Sequence, residues 1–140
     1  MKETLIEILI EEALEARKMA YTPYSHFQVG AALLSGNQKI YTGCNIENAA
    51  YSPSVCAERT SIFKAVTEGN KEFTAIAIVG GAEGKDPKEM LPPCGVCRQV
   101  IREFCNPETF EIILAVSKNE YRCYKLKDLL PFSFGPENLQ

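Results

Sequence analysis

Clustered basic charge, long apolar runs, internal repeats and low-complexity tracts are all missing from this 140-residue chain. Its formal charge is −3, and no local group of lysines and arginines offsets that sign. A phosphate backbone is held by concentrated positive charge, so the sequence carries no footprint for a nucleic acid. The first apolar stretch, Leu5 to Ile10, is interrupted by Glu7 and followed by Glu11 and Glu12. Neither a secretory leader with a basic start nor a membrane-spanning helix fits that pattern, and a cytoplasmic location is expected. Without repeats or a linker, residues 1–140 read as a single domain. Histidine occurs once, as His26, with nothing to pair with it at ligand spacing. A free small molecule is the expected partner, with no nucleic acid and no membrane.

What is present is ordinary for a globular protein: 46% hydrophobic and 24% charged residues. Helices alternate with short β-rich runs. Glu3 to Ala20 places Leu5, Ile8, Leu9, Ala13, Ala16 and Ala20 at helical spacing, with Arg17 and Lys18 near the end, where they complement the helix dipole. Gln28–Leu34 and Lys39–Cys44 read as strands joined by Ser35-Gly36-Asn37-Gln38, which has hairpin turn chemistry. Cys56 to Glu68 reads as a helix, Phe73–Val79 as a buried strand ended by Gly80-Gly81, and Ala82 to Met90 as a loop. Cys94 to Cys105 is a further helix, and Phe110–Val116 and Tyr121–Leu126 complete the sheet. This alternation predicts a layered α/β domain.

Three of the six cysteines stand beside a glutamate or beside each other, in Cys56-Ala57-Glu58 and Pro93-Cys94-Gly95-Val96-Cys97. Both motifs fall at predicted helix starts. There, unsatisfied N–H groups and the positive end of the dipole favour thiolate over thiol. Three thiolates hold a tetrahedral Zn²⁺ and leave its fourth position for water, while Glu58 supplies a carboxylate not needed as a ligand. Cys56 and Glu58, two apart, would diverge inside a helix, so Cys56 is placed in the first turn pointing off the end. Cys94 and Cys97 alone would also suit a thiol–disulfide redox pair on a strand-to-helix turn, a reading that Cys56 and Glu58 beside them weaken. A non-catalytic zinc module is the other reading. Cys44, Cys105 and Cys123 read as small buried hydrophobes.

Together with Pro23-Tyr24-Ser25-His26-Phe27-Gln28-Val29-Gly30, Gly43-Cys44-Asn45-Ile46-Glu47-Asn48-Ala49-Ala50-Tyr51 and the tail Leu129-Leu130-Pro131-Phe132-Ser133-Phe134-Gly135-Pro136-Glu137, these motifs resemble the small homotetrameric cytidine deaminases over nearly the whole chain. The spacing of Cys56, Glu58, Cys94 and Cys97 also agrees with the wider signature of zinc deaminases. The resemblance implies a three-layer α-β-α sandwich around a five-stranded mixed sheet. It also implies one Zn²⁺ per chain, and hydrolysis of cytidine and deoxycytidine to uridine and deoxyuridine in nucleoside salvage. A relative acting on another aminated nucleoside analogue or antibiotic, or a polynucleotide editor, is the alternative within the enzyme class; the lack of a basic groove argues against the editor.

Residue roles follow from the same likeness. Cys56, Cys94 and Cys97 are the implied zinc ligands and Glu58 the proton carrier, while Arg59 is placed to donate to ligand sulfur or else to lie on the surface. Asn45 and Glu47 are implied ribose contacts; turn capping is the plainer reading, stronger for Asn45 than for Glu47. Phe27 is assigned to the pyrimidine face, although a core aromatic at a strand start is commoner. The Ala57 N–H is the implied donor to the pyrimidine O2, and the Pro92 carbonyl the acceptor for the 4-amino group, where the family pattern would have serine or threonine. Tyr51 joins the substrate-binding set. Phe134 is expected to enter the site of a neighbouring subunit of a homotetramer.

Overall fold

The computed structural model describes residues 1–140 and orders five strands as β2-β1-β3-β4-β5. These are β1 (Phe27–Ser35), β2 (Ile40–Cys44), β3 (Phe73–Ala82), β4 (Glu111–Ser117) and β5 (Glu120–Lys125). Only β3 and β4 run parallel, joined through helix α3 (Gly95–Phe104); the other neighbours are antiparallel, which makes the sheet mixed. Helix α1 (Glu3–Arg17) covers one face, and α2 (Ala57–Thr67) with α3 covers the other. The result is the three-layer α-β-α sandwich.

Strand alternation divides the core between the two faces. Ala31 and Leu33 of β1, Ile76 and Ile78 of β3 and Ile112 and Leu114 of β4 pack with Ala57, Ile62 and Ile101. The intervening Ala32, Leu34, Ala75, Ala77, Val79, Ile113 and Ala115 pack with Ile6, Leu9, Ile10 and Ala13 of α1. A one-residue slip of any central strand would exchange these two sets, so register and layer assignment fix each other.

Several boundaries differ from the sequence reading. Helix α1 stops at Arg17, three residues short of Ala20, and Arg17 does not face its own helix end. Its buried guanidinium donates to the carbonyls of Gln28, Lys85 and Ala82, at 3.2, 2.9 and 3.2 Å, and ties α1 to the start of β1 and the loop after β3. Strand β3 runs through Gly80 and Gly81 to Ala82. Those glycines serve close approach, since a Cβ on Gly80 would lie 2.5 Å from Leu91 Cδ1. A short helix, α4 (Leu126–Leu129), follows β5, and Pro136–Leu139 forms one 3₁₀ turn in the tail. Cys105 is buried as expected, but Cys44 is half-buried and Cys123 is exposed on β5. Cys123 lies on an edge strand, paired only with β4.

No helix is long and apolar enough to cross a membrane.

Candidate active site

Helices α2 and α3 begin on the same side of the sheet, beyond the carboxyl end of β3, and each is preceded by a cysteine at its N-cap. Cys56 and Cys94 both have extended backbones, and neither side chain caps its helix. Cys56 thus lies one position before the first turn, not within it; its extended backbone lets the thiol leave the helix axis while Glu58 enters the helix. Cys97, in the first turn of α3, is buried. The three sulfurs lie within 4.8 Å of one another.

That cluster fits zinc by its chemistry and its spacing. Two thiolates each about 2.3 Å from one tetrahedral Zn²⁺ stand about 3.8 Å apart. The sulfurs of Cys56 and Cys94 are 3.7 Å apart. Hydrogen bonding by Cys97 holds Cys56 down at about 5, with the Arg59 guanidinium assisting, while Cys97 is pushed well up by the same pairing and by burial. These surroundings favour the thiolate form of Cys56, the form in which a cysteine binds a cation. Arg59 Nη2 donates to Cys56 Sγ at 3.4 Å, which strengthens the guanidinium's hold on its charge. Of the two readings of Arg59, the one on sulfur is the one observed.

Glu58, in the first turn of α2, is only 4% exposed, and burial pushes its carboxyl up to about 7. It faces a cavity of about 350 Å³, lined also by Asn45, Glu47, Cys56, Ala57, Pro92 and Cys94. Seven of the residues singled out from sequence therefore share one wall. Val29, Ser54, Val55, Ile78 and Leu91 complete the lining and were not foreseen. Apolar strand residues carry no sequence mark that distinguishes a cavity wall from a core.

Asn45 and Glu47 reach the cavity already engaged. Asn45 Oδ1 accepts from the Val29 N–H at 2.9 Å and its Nδ2 donates to the Phe27 carbonyl at 2.9 Å, so the amide extends the pairing of β1 beyond the end of β2. One N–H and one lone pair of that amide remain. Glu47 Oε1 accepts from the N–H groups of Tyr24 and Ser25, at 3.0 and 3.1 Å, and Oε2 accepts from the Ser25 hydroxyl. The Ser25 hydroxyl is the main cause that holds Glu47 below the usual carboxylate range. Glu47 is thus an ionised acceptor with one direction still open on Oε2.

Three predicted contacts stand apart from the central cavity. Phe27 lines an adjoining hollow that shares Leu91 with it. Tyr51, in a left-handed conformation with φ of 60°, packs edge-on against Tyr24 at 5.9 Å over another hollow, which shares Glu47 and Ser54 with the cavity. Phe134 lines none of this cavity and is 56% exposed. His26 is not among the clustered ligand atoms; its Nδ1 lies 3.2 Å from Glu83 Oε2.

The fold and the sulfur cluster define an α/β domain that could hold zinc, with a buried carboxylate beside the three thiols. Residues 3–112 match the family described as "Cytidine and deoxycytidylate deaminase zinc-binding region", and the chain belongs to that family. It is 48% identical to the cytidine deaminase of Sporosarcina psychrophila, covering 96% of this chain and 94% of that one. With the cytidine deaminase of Halalkalibacterium halodurans it shares 44% identity, over 95% and 96% of the two chains. The crystal structure of cytidine deaminase from Burkholderia pseudomallei superimposes with a TM-score of 0.81 at 46% identity, covering 91% of this chain and 97% of that one.

Proposed function

We propose that residues 1–140 act as one catalytic domain that deaminates cytidine and deoxycytidine to uridine and deoxyuridine with release of ammonia, in cytoplasmic nucleoside salvage. The observation that carries this reading is the shared cavity, where the buried Glu58 carboxyl and two cluster cysteines face Asn45 and Glu47. The relatives named above, matched over nearly their whole length, are themselves named cytidine deaminases.

Cys56, Cys94 and Cys97 would hold one Zn²⁺, which supplies the Lewis acidity that makes water easier to deprotonate. With three thiolates the cluster would carry a formal charge of −1, and the Arg59 N–H on Cys56 Sγ draws electron density from the sulfur. Glu58 takes one proton from the attacking water and delivers it to N3 of the pyrimidine, then takes the second from the new C4 hydroxyl and passes it to the departing amino group. The C4–O bond forms first, as N3 gains its proton; the C4–N bond then breaks as the C4 carbonyl forms, and ammonia leaves. A carboxyl poised near neutrality suits both taking and giving a proton.

The remaining cavity residues orient the nucleoside. The Ala57 N–H, at the first position of α2 and so free of an intrahelical partner, donates to O2. The Pro92 carbonyl accepts from the 4-amino group, a main-chain role that proline keeps. The open amide group of Asn45 and the free direction on Glu47 take the sugar hydroxyls, with Phe27 and Tyr51 at the margins. We further propose a homotetramer in which Phe134 of one subunit completes a neighbour's site, since the exposed ring lines no part of its own chain's cavity.

The test is loss of cytidine absorbance followed on zinc-analysed protein, with and without a strong chelator. Turnover that tracks zinc at about one per chain is expected. Zinc-replete protein inert toward both cytidine and deoxycytidine would overturn the reading.

A further inference from the structure

We propose that Arg102 and Gln99 of α3 are positioning residues that set Phe134 for the neighbouring subunit's site, a role that rests on the shared-site reading above. Three apart on α3, the two side chains occupy one helix face. Gln99 Nε2 donates to the Phe134 carbonyl at 2.9 Å. Arg102 Nε donates to Ser133 Oγ at 2.9 Å, and its Nη2 donates to Glu137 Oε2 at 2.8 Å. Between these anchors Gly135 lies flat on the guanidinium, where a Cβ would stand 2.3 Å from Arg102 Cζ. The Arg102 side chain is only 11% exposed, so this ion pair is partly withdrawn from water.

The backbone is therefore fixed on both sides of Phe134 while the ring itself is left half in solvent. A ring meant for its own core would show the opposite pattern, with a buried side chain and no need for a polar clamp on its backbone. The clamping helix is the one whose first turn carries Cys97 and whose N-cap is Cys94. Tail and metal ligands thus share one rigid element, and in a closed symmetric assembly that registers each ring against its neighbour's cavity. Without the clamp the tail samples many positions, and apparent substrate affinity falls by the fraction of time the ring is in place.

Steady-state kinetics on cytidine, with zinc analysis and sedimentation, tests this using Arg102→Gln, Glu137→Ala, Phe134→Ala and the Glu137→Ala/Phe134→Ala double variant. Loss of the clamp is expected to raise KM about tenfold while kcat stays within about twofold, with zinc content and tetramer retained. The double variant is expected to match Phe134→Ala alone, because a ring that is absent cannot be misplaced. Unchanged KM in Arg102→Gln and Glu137→Ala, or a double variant in which the two factors multiply, overturns the positioning role and leaves the shared site standing. Unchanged KM in Phe134→Ala, or a monomeric wild type, overturns the shared site and the positioning role together. Glu137 lies in the exposed tail, so Glu137→Ala gives the comparison even where Arg102→Gln fails to fold.

Discussion

Two carboxylates face one cavity with opposite protonation tendencies, and each is set by its own surroundings. Burial raises Glu58 to about 7, whereas the Ser25 hydroxyl and two backbone N–H groups hold Glu47 in its ionised form. Such a separation fits the roles proposed above, proton transfer for the first and fixed hydrogen-bond acceptance for the second. Glu58→Gln keeps the size and the hydrogen-bonding capacity of the side chain but cannot take a proton. Turnover of the zinc-loaded variant is expected to fall by about 10²–10⁴-fold, with zinc content and thermal midpoint little changed. Near-normal kcat in a zinc-replete sample would remove Glu58 from the reaction. The same residue was readable in the sequence because it lies two positions from Cys56 of the thiol cluster; Ser25, which sets the charge of Glu47, was not. Its importance depends on a fold that brings residue 25 against residue 47.

At the scale of elements, the placement of the cysteine cluster depends on how closely helices approach strands. Gly43 of β2 lies under the first turn of α2, and a Cβ there would stand 2.6 Å from both the Ala57 carbonyl oxygen and the Ser61 nitrogen. Since those are backbone atoms, Gly43→Ala must push α2 off the sheet and carry Cys56 and Glu58 with it. A loss of about 1–3 kcal/mol in unfolding free energy is expected, together with weaker zinc retention. Denaturant unfolding and chelator competition measure the two effects; a variant equal to wild type in both would show that α2 has slack. Elements were legible where an apolar or helix-forming run was bounded by turn residues, as in β1, β4 and α2, and less so where a residue answered to a distant partner. Gly80 and Gly81 look like strand terminators along the chain, yet they continue β3 because Leu91 and Pro87 crowd against them. Arg17 looks like a charge at a helix end, yet it binds carbonyls more than ten residues away in sequence. Neither partner is visible to a local reading.

For the molecule as a whole, modest negative charge agrees with a neutral substrate. Around the cavity the ionised Glu47 is the fixed charge near the proposed sugar contacts, and no lysine or arginine lines that wall. A 5′-phosphate would meet repulsion with no cation to offset it. Cytidine and deoxycytidine are therefore expected to be processed far better than cytidine monophosphate or single-stranded DNA, at matched ionic strength. Comparable kcat/KM for the monophosphate or an oligonucleotide would contradict the sugar-hydroxyl assignment of Asn45 and Glu47.

The split core has a further consequence for how variation in this protein reaches a phenotype. Every side chain that lines the cavity comes from β1, β3, the loop after β2, the approaches to α2 and α3, or the first turn of α2, and none comes from α1. Leu9, fully buried in the α1 layer, can therefore be truncated without touching a reacting group. Leu9→Ala is expected to cost about 2–5 kcal/mol of stability. In a cell such a lesion would act through abundance, as unfolded chains are removed, while each surviving molecule turned over at the normal rate. Variants of the α1 layer should accordingly be rescued by overexpression or low temperature, and variants of Glu58 by neither.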